Sequence, residues 1–215
     1  MKKDLVDMVF ILDRSGSMSG LETDTIGGFN SFIEKQKQTP GEALISTVLF
    51  DDVFEVIHHR TPLKTINPMT TKDYFVRGTT ALLDAIGRSI VKMVHIYKTL
   101  PEDEKPEKTV FIITTDGMEN ASTEFSRTQI KHMIERQKEQ YHWEFIFLGA
   151  NIDAVGTARD FGIHEDRVAN YHSDGQGTQL NYRVLSETVS ELRVNKSIKA
   201  NWKEAIDRDF DKRKK

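Results

Sequence analysis

The chain has 215 residues, of which 38% are hydrophobic and 29% are charged, and its formal net charge is -3. This composition is typical of one globular domain with a real core, and it excludes a disordered chain. Lysine and arginine are mixed with acids rather than gathered on a basic stretch, so we expect no nucleic-acid partner. Because the chain has no cysteine, any metal must be held by oxygen or imidazole.

The first residues, MKKDLVDMVFILD, contain a short apolar run that Asp7 interrupts, with no small-residue cleavage site behind it. We therefore expect no export signal. No stretch approaches the roughly 20 apolar residues that span a bilayer. These features predict a cytoplasmic protein without a membrane partner. We also expect a monomer.

Apolar runs that alternate with segments of helical period predict βα units around a mostly parallel sheet. Six strands are predicted, at residues 5–12, 43–50, 53–59, 108–115, 143–150 and 167–172. Only Asp51 and Asp52 separate the second strand from the third, so these two should form a hairpin whose third strand is an antiparallel edge. We predict an α/β, Rossmann-like, doubly wound sheet of six strands, mostly parallel, with helices on both faces.

Apolar residues that recur every three or four positions predict the helices, each with one apolar stripe toward the sheet. The helical segments lie around residues 26–33, 83–97, 127–140, 153–162 and 178–193. We place one domain at residues 1–193 and a charged extension at residues 194–215. In the extension, Trp202, Ile206 and Phe210 recur every four residues, which predicts a short docked helix with a frayed basic end. A partner-binding helix is the alternative.

Polar side chains follow the first strand at alternate positions, in the stretch VFILDRSGSMSG at residues 9–20. In an extended chain, side chains two residues apart point to the same side, so Asp13, Ser15 and Ser17 can converge beyond the strand. Asp116 ends the fourth strand in the same way, within VFIITTDG. If the first and fourth strands are neighbours, the two aspartates face each other across the crevice where open α/β sheets bind ligands.

Two threonines stand at the start of the second helix, in RGTTALLDAIG. One of them suffices to cap the helix, so the other can point its hydroxyl into the crevice. From the residues alone, Thr79 and Thr80 are both candidates.

Two carboxylates about 6 Å apart, at an effective dielectric constant of about 20, repel each other by roughly 2 to 3 kcal/mol. Either one aspartate is protonated or a cation lies between them, and the surrounding hydroxyls favour the cation. Carboxylates and hydroxyls are hard ligands that suit Mg²⁺, Mn²⁺ or Ca²⁺ better than Zn²⁺ or Cu²⁺. Mg²⁺ fits best, because it keeps several waters and needs few protein ligands.

The stretches DRSGS at 13–17, GTT at 78–80 and TTDG at 114–117 resemble the three parts of a metal-ion-dependent adhesion site (MIDAS). This site belongs to the von Willebrand factor type A (vWA) family, and the resemblance covers about residues 4–193. It implies a cation with one coordination position left for an acidic side chain of a partner protein. The implied ligands are Asp13, Ser15, Ser17, Thr80 and Asp116.

Thr80 is preferred to Thr79 because the family's threonine directly precedes a helix start similar to TALLDAIG. The resemblance also implies that the hydroxyls bind the cation directly, that one or both aspartates act through water, and that the site can switch between arrangements. The chain looks like the stand-alone intracellular bacterial or phage-type members, some of which work beside AAA+ ATPases or stress-resistance systems.

These features predict a metal-dependent protein-interaction module that is not an enzyme. The alternative is a Mg²⁺-dependent phosphohydrolase with Asp13 as nucleophile, as in haloacid-dehalogenase-like enzymes. Those enzymes resemble D-x-D, whereas Ser15 occupies the second acidic position here, and no base within reach is evident. A degenerate scaffold without a working metal site is a third possibility.

Several nearby residues have simpler interpretations. Arg14 and Met18 should face away from the convergent side, as surface and packing residues. Glu119 and Asn120 could line the rim of the site or cap the loop. His58 and His59 alternate faces and should not share a metal, and turn or capping roles are expected for Asp51, Asp52, Asn151 and Asp153.

Overall fold

The computed structural model describes residues 1–213. Its strands are β1 (Lys2–Asp13), β2 (Glu42–Phe50), β3 (Phe54–Pro62), β4 (Pro106–Thr115), β5 (Glu144–Ala150) and β6 (Val168–Tyr171). Its α-helices are α1 (Glu22–Gln38), α2 (Leu82–Thr99), α3 (Arg127–Tyr141), α4 (Ala154–Asp160), α5 (Gly175–Asn195) and α6 (Glu204–Arg213).

The strands form one six-stranded sheet in the order β3-β2-β1-β4-β5-β6. Every neighbouring pair is parallel except β2 and β3, which are antiparallel. The predicted sheet and its antiparallel edge strand are therefore confirmed. Strand β2 lies on one side of β1, and β4 lies on the other side. The strand order therefore reverses between β1 and β4. Such a reversal opens a crevice at the carboxyl ends of these two strands.

Helices cover both faces of the sheet, as predicted. Residues of β1 alternate between two buried clusters: Met8 and Phe10 pack with α1 and α5, whereas Val9 and Ile11 pack with α2 and α3. Because both faces are buried, the strand sequence is continuously apolar instead of alternating with polar residues.

The segment after α5 packs against the sheet edge beside β6. Trp202 and Ile206 are buried in the cluster shared with α1 and α5. The Trp202 indole donates a hydrogen bond to the Asp166 carbonyl oxygen at 2.7 Å, and the Lys203 ammonium donates to the Val168 carbonyl oxygen at 2.7 Å. The end of the predicted basic tail, residues 214–215, lies outside the described residues, and the domain boundary at residue 193 stays a prediction.

No helix within residues 1–213 is both long enough and apolar enough to cross a membrane.

The contact between α1 and α5 can be tested at two adjacent glycines. A Cβ at Gly28 would lie 2.1 Å from Cδ2 of the buried Tyr182 ring, whereas one at Gly27 would meet nothing within 4 Å. We expect Gly28→Ala to lower the free energy of unfolding by about 1 to 3 kcal/mol through overpacking. Gly27→Ala should be neutral or stabilising by about 0.5 to 1 kcal/mol. Urea denaturation measures both, and equal effects would contradict this packing.

Candidate metal centre

Asp13 ends β1 with its carboxylate buried and held on both oxygens. Its Oδ1 accepts a hydrogen bond from the Ser15 backbone N–H at 2.7 Å, and its Oδ2 accepts one from the Thr115 hydroxyl of β4 at 2.6 Å. The residue is only 1% exposed. The pairing of β1 with β4 therefore fixes the orientation of this carboxylate.

Three hydroxyls converge beside Asp13 from two loops. A single 3₁₀ turn at Gly16–Met18 brings Ser17 Oγ to 3.0 Å from Ser15 Oγ. The Thr80 hydroxyl donates to Ser15 Oγ at 2.9 Å. Thr80 is buried and Thr79 is exposed, so the structure places Thr80, and not its neighbour, in the hydroxyl cluster.

Asp116 follows β4 and directly precedes Gly117, which lies against the hydroxyls. Its Oδ2 accepts hydrogen bonds from the Ser173 hydroxyl and, at 3.4 Å, from the Asn151 side-chain amide. Its Oδ1 is buried and has no hydrogen-bond partner among the described residues. A buried carboxylate oxygen without a partner is unfavourable, which suits a position beside a cation.

Gly117 leaves a space that the three hydroxyls surround. A Cβ at this position would lie 2.8 Å from both Ser17 Oγ and Thr80 Oγ1, and 3.5 Å from Ser15 Oγ. Within residues 1–213, no group of three Asp, Glu or His side chains could hold a metal ion. A cation bound here would therefore need the hydroxyls as well as the two carboxylates as ligands. The donors are all hard oxygens, and they fit a small divalent cation such as Mg²⁺.

Burial raises the pKa of Asp13 above its ordinary value, because the charged carboxylate loses its hydration. Hydrogen bonds from Ser15 and Thr115 lower the pKa in part, and the negative charge of Asp116 raises it further. The charge of Asp116 thus disfavours the ionisation of Asp13, and a cation bound near both would relieve this repulsion.

The rim residues that could have been ligands are engaged in capping. Glu119 accepts a hydrogen bond from the Leu83 backbone N–H at 2.9 Å, in the first turn of α2. The side-chain oxygen of Asn120 accepts one from the Thr80 backbone N–H at 2.9 Å. Glu119 therefore caps the start of α2, and Asn120 holds the backbone of Thr80. These contacts agree with the capping role, which was one of the two roles considered for these residues. Met18 is buried, as expected of a packing residue.

Arg14 is not a surface residue, which was one of the two roles expected for it. Its side chain is fully buried and pairs with the equally buried Asp51, with Nε 3.2 Å from Oδ2. Arg77 Nε lies 2.6 Å from the same oxygen, and Glu55 lies 2.7 Å from Arg14 Nη1. The Arg77 backbone N–H donates to the Arg14 carbonyl oxygen at 2.9 Å, so the loop that carries Arg77 lies against the ion pair.

Asp51 is also more than the predicted turn residue. Its carboxylate does accept the Val53 backbone N–H at 2.6 Å, as a turn residue should. Its carbonyl oxygen also accepts the Ala81 N–H at 2.9 Å, directly after Thr80. Asp51 therefore connects the end of β2 to both loops that supply hydroxyls.

Three residues that support the site were missed by the sequence analysis. Ser173 holds Asp116, Thr115 holds Asp13, and the Tyr74 hydroxyl donates to the Asp13 carbonyl oxygen at 2.6 Å. Ser173 could have been found, because it follows the predicted strand at 167–172 on the same sheet edge as Asp116. Tyr74 lies in an irregular loop and carries no such signal.

No family model and no curated protein matches the chain by sequence. Solved structures do. Proximal thread matrix protein 1 (PTMP1) from the mussel byssus has a TM-score of 0.60 at 14% identity, over 86% of this chain and 46% of that chain. The manganese-loaded TRAP protein of Plasmodium vivax has a TM-score of 0.59 at 16% identity, over 84% of this chain and 73% of that chain. The pilus adhesin SpaC from Lactobacillus rhamnosus GG, in an open conformation, has a TM-score of 0.66 at 12% identity, over 89% of this chain and 30% of that chain.

The chain has a vWA-like fold. At these identities the likeness shows the fold alone, and the chain spans less than half the length of PTMP1 and of SpaC. One PTMP1 structure has a zinc-occupied MIDAS motif, and the TRAP structure is loaded with manganese. The vWA-like domain described here places its two aspartates and three hydroxyls at the carboxyl edge of the sheet, where strand order reverses.

The buried ion pair can be tested at Asp51 and its neighbour. Asp51→Asn removes the charge that faces Arg14, and we expect it to lower the free energy of unfolding by about 3 to 5 kcal/mol. Asp52 is exposed, so Asp52→Asn should change stability by no more than about 0.5 kcal/mol. Chemical denaturation measures both variants, and a small effect at Asp51 would contradict the role assigned to the pair.

The space in front of Gly117 gives a second test. Gly117→Ala should weaken Mg²⁺ binding at least about tenfold, or about 1.4 kcal/mol, because the added carbon occupies the space between the hydroxyls. In Gly16→Ala the Cβ would lie 3.5 Å from the Gly78 carbonyl oxygen, an ordinary contact, so this variant should bind Mg²⁺ as the wild type does. Isothermal titration calorimetry measures both. Unchanged affinity in Gly117→Ala would place the cation elsewhere.

Proposed function

We propose that this protein is a metal-dependent protein-interaction module. The observation that carries the proposal is the convergence of two buried carboxylates, one with an unpartnered oxygen, on three hydroxyls around the space at Gly117. The residues that would hold the cation are Asp13, Ser15, Ser17, Thr80 and Asp116. Mg²⁺ suits this set best, because it needs few protein ligands, and Mn²⁺ or Ca²⁺ are the alternatives.

Only one of the five candidate ligands is exposed to solvent, so a partner protein would approach the site from that ligand's side. Asp13, Ser15, Thr80 and Asp116 are all at most 3% exposed, whereas Ser17 is exposed. A bound cation would supply positive charge, and Ser17 is the part of the donor set that is open to solvent. A glutamate or aspartate of another protein offers the hard oxygen ligand that such a cation prefers.

The residues around Asp13 give the phosphohydrolase less support. Ser15 occupies the position of the second acid in the D-x-D pattern of those enzymes. Asp13 is also only 1% exposed, whereas a nucleophile must reach its substrate. We therefore propose binding without catalysis.

The finer parts of the proposal rest on the family resemblance. We propose that the protein belongs to the stand-alone bacterial or phage-type vWA proteins with an intact MIDAS, and that it acts as a cytoplasmic monomer. Its partner would be an acidic segment of another protein, such as a component of an AAA+ ATPase or stress-resistance system.

Stabilisation by metal tests the site. Mg²⁺ at about 100 times its dissociation constant should stabilise the wild type by about 2.7 kcal/mol, measured by chemical denaturation with and without Mg²⁺. Thr80→Val removes the buried hydroxyl and should lose most of this gain, whereas Thr79→Val, at the exposed neighbour, should keep it. Absence of a Mg²⁺ effect in the wild type, or an equal gain in Thr80→Val, would rule out the proposed centre.

The binding function needs its own test. Immobilised protein should retain a partner from lysate in Mg²⁺ and release it in chelator, and Asp116→Ala should not retain it. Turnover of a phosphate monoester that Asp13→Asn abolishes would instead favour the enzyme.

A further inference from the structure

A groove of about 970 Å³ lies beside the candidate metal centre, at the carboxyl ends of β5 and β6. Asn151 and Met118 are among its lining residues. The Asn151 side-chain amide is 3.4 Å from Asp116 Oδ2, and Met118 is two residues beyond Asp116. Phe210 and Arg213 line the groove from α6. A partner segment bound at the candidate metal centre would therefore have the groove next to it.

Several of the residues that line the groove have large apolar side chains. Met118 is 73% exposed, and its unbranched, polarisable side chain adapts to different partners. Ile152 and Phe210, which are half-buried, add aliphatic and aromatic surface along the groove. Large apolar side chains that line a concave surface are typical of a binding site.

The charges in the groove disfavour a second acidic residue. Arg213 contributes the positive charge among the described lining residues, and it is already paired, with Asp174 at 2.5 Å and with Asp209 at 2.5 Å. Asp153 adds a negative charge at the rim. The groove therefore suits an uncharged apolar side chain rather than another carboxylate.

The wall formed by α6 is held in place before any partner binds. The His172 ring lies 4.8 Å from the Phe210 ring, and His172 Nε2 is 3.0 Å from the Phe210 carbonyl oxygen. The pair between Arg213 and Asp174 fastens the end of the same helix. A preformed groove binds with a smaller entropic cost than one that must first be ordered.

We propose that this groove recognises an apolar side chain next to the metal-bound glutamate or aspartate of the partner. The partner segment would then combine one acidic residue, held by the cation, with an adjacent aliphatic residue held against Met118. This inference rests on the proposed function and gives it sequence specificity.

Blocked pentapeptides test the inference, with binding measured by NMR titration in saturating Mg²⁺. GGEGG carries the acid alone, GGELG and GLEGG add a leucine on either side, and GGEDG adds a second acid. At least one leucine peptide should bind about tenfold more tightly than GGEGG, as partial burial of a leucine predicts. GGEDG should bind no more tightly than GGEGG. The Met118 methyl resonance should shift with the leucine peptide and not with GGEGG.

Two exposed apolar residues provide the matched variants. Met118→Ser should reduce the leucine-to-glycine affinity ratio from about tenfold toward one, while Val91→Ser, at a 51% exposed position on α2, should leave the ratio unchanged. Mg²⁺-dependent binding of GGEGG without a gain from leucine, or a gain that survives in Met118→Ser, would overturn the groove and leave the proposed function intact. Absence of Mg²⁺-dependent binding by every peptide would overturn both.

Discussion

The parallel pairing of β1 with β4 is the constraint on which the candidate site depends. The register sets Leu12 beside Thr114, so Asp13 and Asp116 leave the sheet at the same edge. Because β2 follows on the other side of β1, the loops after β1 and β4 diverge and leave a crevice between them. In this register the Thr115 hydroxyl of β4 donates a hydrogen bond to the Asp13 carboxylate. This bond fixes the orientation of the carboxylate. A different strand order would separate the two aspartates and remove the site.

The buried carboxylates at this edge differ in whether a basic side chain of the protein pairs with them. Asp51 is paired within the protein, by Arg14 and Arg77, and it connects the loops of the site permanently. Asp13 and Asp116 have no such pairing in the ion pairs that the structure describes, and one oxygen of Asp116 is left without a partner. A buried charge that the chain itself does not neutralise is expected where a ligand completes the structure. This difference separates the structural carboxylate from the two functional candidates.

The C-terminal segment after α5 packs along the β6 edge of the sheet and reaches the groove beside the candidate metal centre. Edge strands present unpaired backbone groups and are commonly covered. Trp202 and Lys203 donate to carbonyl oxygens around the short strand β6, and α6 continues from there to the groove beside Asp116. The same segment thereby protects an edge and builds one wall of a surface on which a partner could lie. Ser173, between β6 and α5, contacts Asp116 and joins this region to the candidate centre.

The sequence by itself determined the six strands, their hairpin and the position of Asp13, Ser15 and Ser17 at the end of β1 and directly after it. These features are local, since apolar runs and the polar residues that follow them are read from neighbouring positions. The period of an extended chain does not account for Ser17, because a 3₁₀ turn at Gly16–Met18 brings it to the cluster. Only the tertiary structure decided that Arg14 is buried and that Ser173 holds Asp116. It also places among the hydroxyls Thr80, which the family resemblance had favoured but the residues alone had not distinguished from Thr79. The residues of each of these contacts lie far apart along the chain. A long side chain such as that of Arg14 can end in solvent or in an ion pair, and packing between distant segments settles which.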